Sequence, residues 1–184
     1  LGSAPIQLYG LAAFIGFLIP AIGVTIGELM DDTVYSPDQL KELTQVPFLG
    51  SIGFVKSETN LVVGKGKRSA IAEMFRMLRT HLRFLHARDE DASRAILITS
   101  STAGEGKTFI TLNLGISMAI SGRKTAILGM DLRKPKLDVY LTGEHKKQQK
   151  GVSNYLIGGA ELEEIIYPVE LDENLYYIPS GPLP

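Results

Sequence analysis

A lysine and a threonine at the start of a predicted helix are the residues best placed to do chemistry in this sequence. They end the run Ser101-Thr102-Ala103-Gly104-Glu105-Gly106-Lys107-Thr108, which matches the phosphate-binding pattern G-x-x-x-x-G-K-[ST] except for serine at the first glycine. Backbone N–H groups of such a loop and the positive end of the helix dipole together bind an anion. Lys107 would contact the β- and γ-phosphates of a nucleotide, and the Thr108 hydroxyl would bind Mg²⁺. The pattern predicts nucleotide contacts from the following residues: Thr102, Ala103, Gly104, Glu105, Gly106, Lys107, Thr108 and Phe109.

Two predicted elements position this loop. The apolar run from Ala95 to Ser100 contains β-branched residues and predicts a buried parallel strand before the loop. After the loop, small and apolar residues recur at helical spacing and predict a helix; they are Leu112, Gly115, Ile116, Ala119 and Ile120. A chance Gly-Lys-Thr at another helix start is the alternative, but the order of strand, loop and helix favours a phosphate site.

An aspartate and an arginine lie at the carboxyl end of the next predicted strand. Lys124–Asp131 is expected to form a second parallel strand, and Arg133 follows it. Ligands of open α/β sheets bind outside the carboxyl ends of the strands, so Asp131 and Arg133 should face the same crevice as Lys107. Asp131 could bind Mg²⁺ or accept a proton from an attacking hydroxyl, and a helix cap is the alternative. Other predicted elements are short helices at Gly151–Gly159 and Leu162–Ile166 and a strand at Asn174–Pro179.

These elements predict an α/β fold in which a mostly parallel sheet is flanked by helices. The formal net charge of −1 and the pI near 6.4 provide no broad attraction for nucleic acid, so we expect no nucleic-acid partner. The chain has no cysteine, which excludes disulfides, thiolate metal ligands and thiol nucleophiles. His81, His86 and His145 are isolated in the sequence and show no spacing typical of metal ligands.

The segment from Leu8 to Gly27 is a candidate membrane span. Its 20 residues carry no charge, and a helix of this length spans roughly 30 Å, the thickness of the hydrocarbon core. A signal peptide and a buried core helix are the alternatives, but no basic segment precedes the span and no small-residue cleavage site follows it. Because a nucleotide site must meet ATP, the segment after the span is expected on the cytoplasmic side.

Two further helices are predicted between the span and the phosphate loop. Ser36 is the expected cap of a short helix that ends near Thr44, and Lys56–Arg68 is polar and glycine-bearing, which predicts a mobile linker. Ser69 to about Ala87 forms an amphipathic helix with a charged stripe of Glu73, Arg76 and Arg79. The stripe is either a solvated face or a surface that pairs across a subunit boundary.

Taken together, these motifs resemble the bacterial tyrosine kinases of capsular and exopolysaccharide synthesis, which belong to the P-loop ATPase lineage of MinD and ParA. The E-x-x-R-x-x-R oligomerisation motif of that family matches Glu73, Arg76 and Arg79, and its Walker A motif resembles Ser101–Thr108. Its D-x-D-x-R motif resembles Ile127–Arg133, with Gly129 in place of the first aspartate. The span resembles the second membrane helix of a polysaccharide co-polymerase.

The resemblance implies transfer of the γ-phosphoryl group of Mg²⁺·ATP to tyrosines on neighbouring copies of the chain. Lys107, Asp131 and Arg133 would be the catalytic residues, and Thr108 and Asp131 would bind the metal. The implied partners are a homo-oligomeric ring through Glu73, Arg76 and Arg79, membrane lipid, the polysaccharide polymerisation and export machinery, and a protein-tyrosine phosphatase. The implied location is the bacterial plasma membrane, with the kinase domain in the cytoplasm.

The resemblance also divides the chain into a transmembrane helix at residues 1–30, a juxtamembrane segment and linker at 31–68, and the first part of a kinase domain at 69–184. The Walker B motif and tyrosine cluster of the family are expected outside the given chain. Two other functions remain open: a membrane-tethered ATPase switch that uses water as acceptor, and a co-polymerase scaffold that binds ATP without turnover.

Overall fold

The computed structural model describes residues 4–31, 33–34, 36–54, 59–85, 93–131, 137–143 and 149–182. The chain divides into two compact units, Leu1–Phe48 and Leu49–Pro184. The predicted linker and the phosphate loop therefore belong to the same unit.

The first unit contains the candidate membrane helix. Helix α1 spans Ala4–Leu29 and contains the whole predicted span, including Pro20. Thr25 donates its hydroxyl to the carbonyl of Ala21 at 2.8 Å, which satisfies this polar group within the helix. From Ile6 to Leu29 the helix is long and apolar enough to cross a membrane.

The short helix α2, Pro37–Leu43, begins as the sequence predicts. Ser36 accepts a hydrogen bond from the backbone N–H of Gln39 at 3.3 Å, and the Gln39 side chain accepts one from the Ser36 N–H at 3.2 Å. This reciprocal pair is a capping box, and proline at the first helical position needs no N–H partner there.

The second unit is an α/β arrangement. Its elements in chain order are α3 Ala70–Leu85, α4 Lys107–Ile120, β1 Thr125–Leu128, α5 Leu137–Thr142, α6 Val152–Leu156, a 3₁₀ helix Leu162–Ile165, β2 Tyr167–Pro168 and β3 Leu175–Ile178. The described strands form a sheet of order β1-β3-β2, in which β1 is parallel and β2 antiparallel to β3. The strands predicted at Lys124–Asp131 and Asn174–Pro179 are confirmed over Thr125–Leu128 and Leu175–Ile178, and the structure pairs them with each other.

Helix α4 packs against the sheet at very short range. Its apolar residues Leu112, Leu114 and Ile116 are buried together with Ile127 of β1. At Gly115 an added Cβ would lie 2.7 Å from Ile127 Cδ1, so glycine permits this close approach of helix and strand. The helix that starts at the phosphate loop is thus fixed directly to the sheet.

Helix α3 covers another side of α4. Ser69 caps α3 by accepting a hydrogen bond from the Ala72 N–H at 3.1 Å. Phe75 is completely buried, and its ring meets that of Phe109 edge-to-face with 5.7 Å between centroids. Since Phe109 lies in the first turn of α4, α3 supports the same turn that carries Lys107 and Thr108.

The segment Ala95–Ser100 does not form the buried strand that its composition predicts. In the part of the chain that the structure describes, it pairs with no strand, and Ile96 and Leu97 are 46% and 85% exposed. Only Ile98 packs partly against the core. A parallel strand becomes buried through neighbours in its sheet, but the described strands β1, β3 and β2 pair among themselves.

The segment Lys56–Arg68, predicted to be a mobile linker, is packed against the core over its described residues. Leu61 and Val62 are half-buried against the core, and Val63 is only 7% exposed. Lys65 forms an ion pair of 3.0 Å with the buried carboxylate of Asp172, whose pKa is lowered by the N–H of Asn174 and by Lys65. These residues fix the segment within the second unit, so its described part is not a mobile linker. The prediction was wrong because it weighed the polar residues of the segment above these apolar ones.

Candidate nucleotide-binding site

The phosphate loop owes its shape to two glycines. Gly104 and Gly106 both have φ of +91°, a left-handed conformation that glycine adopts readily. An added Cβ at either position would have no described atom within 4 Å, so the space beside the loop is open. The open, backbone-lined turn at the start of α4 has the form that phosphate oxygens require.

The ammonium group of Lys107 lies across this loop. It donates to the carbonyl of Thr102 at 2.8 Å and to the hydroxyl of Ser100. An ammonium group has three donor hydrogens, so a phosphate oxygen can be bound without breaking both of these contacts. Lys107 therefore orders the loop and is available for a phosphate at the same time.

A carboxylate also belongs to the loop. Glu105 accepts a hydrogen bond from the Thr102 hydroxyl at 2.7 Å. Hydrogen bonds from Thr102 and then Ser100 lower the pKa of Glu105, so the group is ionised at neutral pH. Because this charge repels phosphate, the attraction for a phosphate would have to come from Lys107 and from the N–H groups at the start of α4.

Asp131 lies three residues beyond the end of β1 and is exposed. Among the described residues, no group of three histidine, aspartate or glutamate side chains could hold a metal ion by itself. Mg²⁺ typically takes one or two protein oxygens and completes its shell with phosphate and water. Thr108 and Asp131 fit that requirement by type, and the predicted role of Arg133 falls outside the described residues.

Gly129, which replaces the first aspartate of the motif, continues the pairing of β1 with β3. Its N–H donates to the carbonyl of Ile178 at 2.8 Å. A Cβ at this position would lie 3.3 Å from the backbone nitrogen of Ser180 and 3.5 Å from Leu137 Cδ2. A larger side chain here would therefore require its neighbours to shift.

The three residues of the charged stripe on α3 have different surroundings. Glu73 and Arg76 form an exposed ion pair, and Arg76 also donates to the Lys67 carbonyl at 3.2 Å. Arg79 instead donates to the carbonyl of Ser117 at 2.5 Å and contacts the Ser117 hydroxyl at 3.3 Å. The arginine thus links α3 to the last turn of α4.

This contact has a clear physical basis. The last four carbonyls of a helix have no partner within it, and a cation is favourable at that end of the dipole. Ser121, four residues after Ser117, donates its N–H to Met118 instead. Burial, followed by the charge of Arg76, lowers the pKa of Arg79, yet a guanidinium remains protonated. Arg79 therefore acts as a cap on α4.

Replacing Arg79 by alanine should lower the free energy of unfolding by about 1–3 kcal/mol, because a charged hydrogen bond to a half-buried carbonyl is lost. The measurement is thermal denaturation of the full chain in detergent. Arg76→Ala on the same helix is the control, and it should cost less than about 1 kcal/mol because an exposed pair contributes little. Equal losses for the two variants would contradict the capping role of Arg79.

Sequence reasoning missed three polar residues, one before the loop and two on α4. Ser100 accepts from Lys107, while Asn113 and Ser117 lie on α4 with 0% and 1% exposure. Asn113 hydrogen-bonds to the backbone of the segment before α3. A signal was present, since Asn113 and Ser117 interrupt an otherwise apolar helix, and buried polar groups need hydrogen-bond partners.

Several known proteins are similar to this chain. No protein-family model matches it. The "Tyrosine-protein kinase CpsD" of Streptococcus agalactiae is 32% identical over 114 residues, which cover 61% of this chain and 46% of CpsD. The chain spans about half the length of the curated relatives that it matches in Staphylococcus aureus, Bacillus subtilis and Streptococcus agalactiae.

Solved structures agree with this similarity. The chimerical protein CapA2B2 has a TM-score of 0.67 and 30% identity, with 81% of this chain and 62% of that chain covered. The kinase domain of the Escherichia coli tyrosine kinase ETK has a TM-score of 0.67 and 26% identity, covering 83% and 62%. The expected α/β P-loop fold is confirmed by these neighbours.

Proposed function

We propose, because this chain belongs to the family of bacterial tyrosine kinases of capsule and exopolysaccharide synthesis, that it is part of a membrane-anchored, ATP-dependent protein-tyrosine autokinase. The observation that carries the proposal is the loop between Ser100 and Thr108, whose two left-handed glycines and crossing lysine suit a polyphosphate. The proposal includes regulation of polysaccharide chain length and export by that activity.

Each residue of the site has a distinct task in the proposed reaction. Loop N–H groups and Lys107 position the β- and γ-phosphates and offset their charge. Thr108 and Asp131 would hold Mg²⁺, which would supply positive charge against the charge that develops on the phosphates. A tyrosine oxygen then bonds to the γ-phosphorus while the bond to the ADP oxygen breaks, and Asp131 is the candidate acceptor of the phenolic proton. Arg133 would support Asp131 or a subunit contact.

The acceptor tyrosines are proposed to lie on neighbouring copies of the chain, held in a ring through Glu73, Arg76 and Arg79. The exposed pair of Glu73 and Arg76 supports a contact at that boundary, because both side chains reach solvent. Residues 69–184 would form the first part of the kinase domain, in accordance with the similarity to the ETK kinase domain.

We further propose that α1 spans the bacterial plasma membrane among lipids and leaves the second unit in the cytoplasm, where ATP is available. The support is the length and apolar character of Ile6–Leu29. The proposed partners are the polysaccharide polymerisation and export machinery and a protein-tyrosine phosphatase that reverses the modification.

A labelling experiment with and without Mg²⁺ tests both the need for the metal and the identity of the acceptor. Full-length protein in detergent should transfer label from γ-labelled ATP to tyrosine, and EDTA should abolish the transfer. Thr108→Val should lower the rate at limiting Mg²⁺ by about 10-fold or more, because the ligand hydroxyl is lost, whereas Thr108→Ser should retain it. Label transfer that persists in EDTA, or an unaffected Thr108→Val variant, would contradict the metal role.

Two other functions give different products in the same experiment. An ATPase switch would release phosphate without labelled tyrosine. A nucleotide-binding scaffold would form neither product, although ATP would change its oligomeric state, and Gly129 at an aspartate position of the motif favours this second candidate.

A further inference from the structure

A buried asparagine joins the nucleotide-binding helix to the chain segment that follows the membrane unit. Asn113 has 0% exposure and lies in the middle of α4. Its oxygen accepts from the N–H groups of Val62 and Val63 at 2.8 and 3.0 Å. Its amide nitrogen donates to the carbonyls of Asn60 and Phe109 at 2.7 and 2.9 Å. These four bonds use the full capacity of an amide side chain.

The partner segment, residues 59–66, is here called the strap. It belongs to no helix or strand over Leu61–Gly64 and ends in a turn in which Lys67 donates its N–H to the Gly64 carbonyl at 3.1 Å. Lys65 in that turn is paired with Asp172, which is a second anchor away from α4. Along the chain, the strap lies just before α3.

The same amide reaches the nucleotide site. Phe109, whose carbonyl accepts from Asn113, belongs to the first turn of α4 with Lys107 and Thr108. One rigid planar group therefore bonds to the strap on one side and to the phosphate-binding turn on the other. A phosphate that fixes the N–H groups of this turn also fixes the carbonyl that orients Asn113.

We propose that Asn113 is a positioning residue that couples the strap to the nucleotide site, so that bound nucleotide tightens the strap and a displaced strap weakens nucleotide binding. The inference rests on the proposed function, because it requires nucleotide at the loop of Lys107. Such coupling is reciprocal, since a strap that stabilises the bound nucleotide must itself be stabilised by it to the same extent.

Hydrogen exchange at Val62 and Val63 provides a direct readout, because both amide hydrogens are donated to Asn113. Full-length protein in detergent would be measured with and without Mg²⁺·ADP at a saturating concentration. Exchange at these two amides should slow by about 5-fold or more with ADP, the lower end of typical coupling. Unchanged exchange in a wild-type chain that demonstrably binds ADP would overturn the inference.

A pair of variants extends the test. In Asn113→Ala, exchange at these amides should be fast with or without ADP, and the Kd for ADP should rise by about 5-fold or more. Lys65→Met removes the ion pair with Asp172 but none of the Asn113 bonds, so it should leave the Kd for ADP within about twofold. A folded Asn113→Ala chain with wild-type ADP affinity would contradict the coupling. If Asn113→Ala does not fold, the comparison of wild-type exchange with and without ADP still tests the coupling. Failure of the wild-type chain to bind ADP would overturn the proposed function itself.

Discussion

Tyrosine phosphorylation by the Lys107→Met variant is expected to fall by roughly 10²–10³-fold, the effect of removing one group that stabilises transition-state charge. Methionine keeps the length and much of the volume of the side chain but has no ammonium hydrogens. The variant therefore lacks the positive charge that stabilises the transferred phosphate. It also lacks the contacts with Thr102 and Ser100 that order the loop. The measurement is the initial rate of label transfer from γ-labelled ATP to tyrosine in the full-length protein.

Lys124→Met is the matched control for this substitution. Lys124 is exposed just before β1, outside the phosphate loop, and its replacement should leave the rate within about twofold because surface substitutions perturb little. A Kd for ADP measured on both variants separates lost binding from lost transfer. Retention of more than about a tenth of the wild-type rate in Lys107→Met would contradict the role of Lys107.

The largest effect on stability is expected at Phe75. Its ring is completely buried between α3 and α4 and contacts Phe109 edge-to-face. Phe75→Ala removes the buried ring and leaves a cavity, so the free energy of unfolding should fall by about 3–5 kcal/mol. The measurement is urea or thermal unfolding of the full chain in detergent, followed by a signal from the second unit.

The same helix contains a control for this prediction. Phe84 is 74% exposed on α3, and Phe84→Ala should change stability by less than about 0.5 kcal/mol. Comparable losses from the two variants would show that α3 does not pack on α4 through Phe75. The nucleotide affinity of Phe75→Ala should also fall, because Phe109 would lose support in the first turn of α4.

The local features of the site could be read from the sequence because they depend on neighbouring residues. Helix α4 begins at Lys107, and Gly104 and Gly106 adopt the left-handed turn that the pattern implies. The cap of α2 at Ser36 was also evident, since a cap is defined within a few residues. Strands β1 and β3 were each predicted from an apolar run, whereas their pairing with each other was not.

Features that depend on distant residues were not evident. The apolar run before the loop predicted burial, but no described strand pairs with it, and the two-residue strand β2 exists only through pairing with β3. The polar composition of the strap indicated a linker, while its packing depends on Asn113, some 50 residues away. The inward direction of Arg79 likewise depends on a carbonyl 38 residues further along the chain.

The hydrogen bonds of Asn113 place few demands on the side chains of the strap. All strap contacts of its amide are to main-chain atoms, at Asn60, Val62 and Val63. Side-chain identity at those positions is therefore irrelevant to these bonds, and only proline, which lacks the N–H, is excluded at 62 and 63. These bonds depend on one side chain of the helix, so side-chain constraints on the strap come instead from the packing of Leu61, Val62 and Val63 against the core.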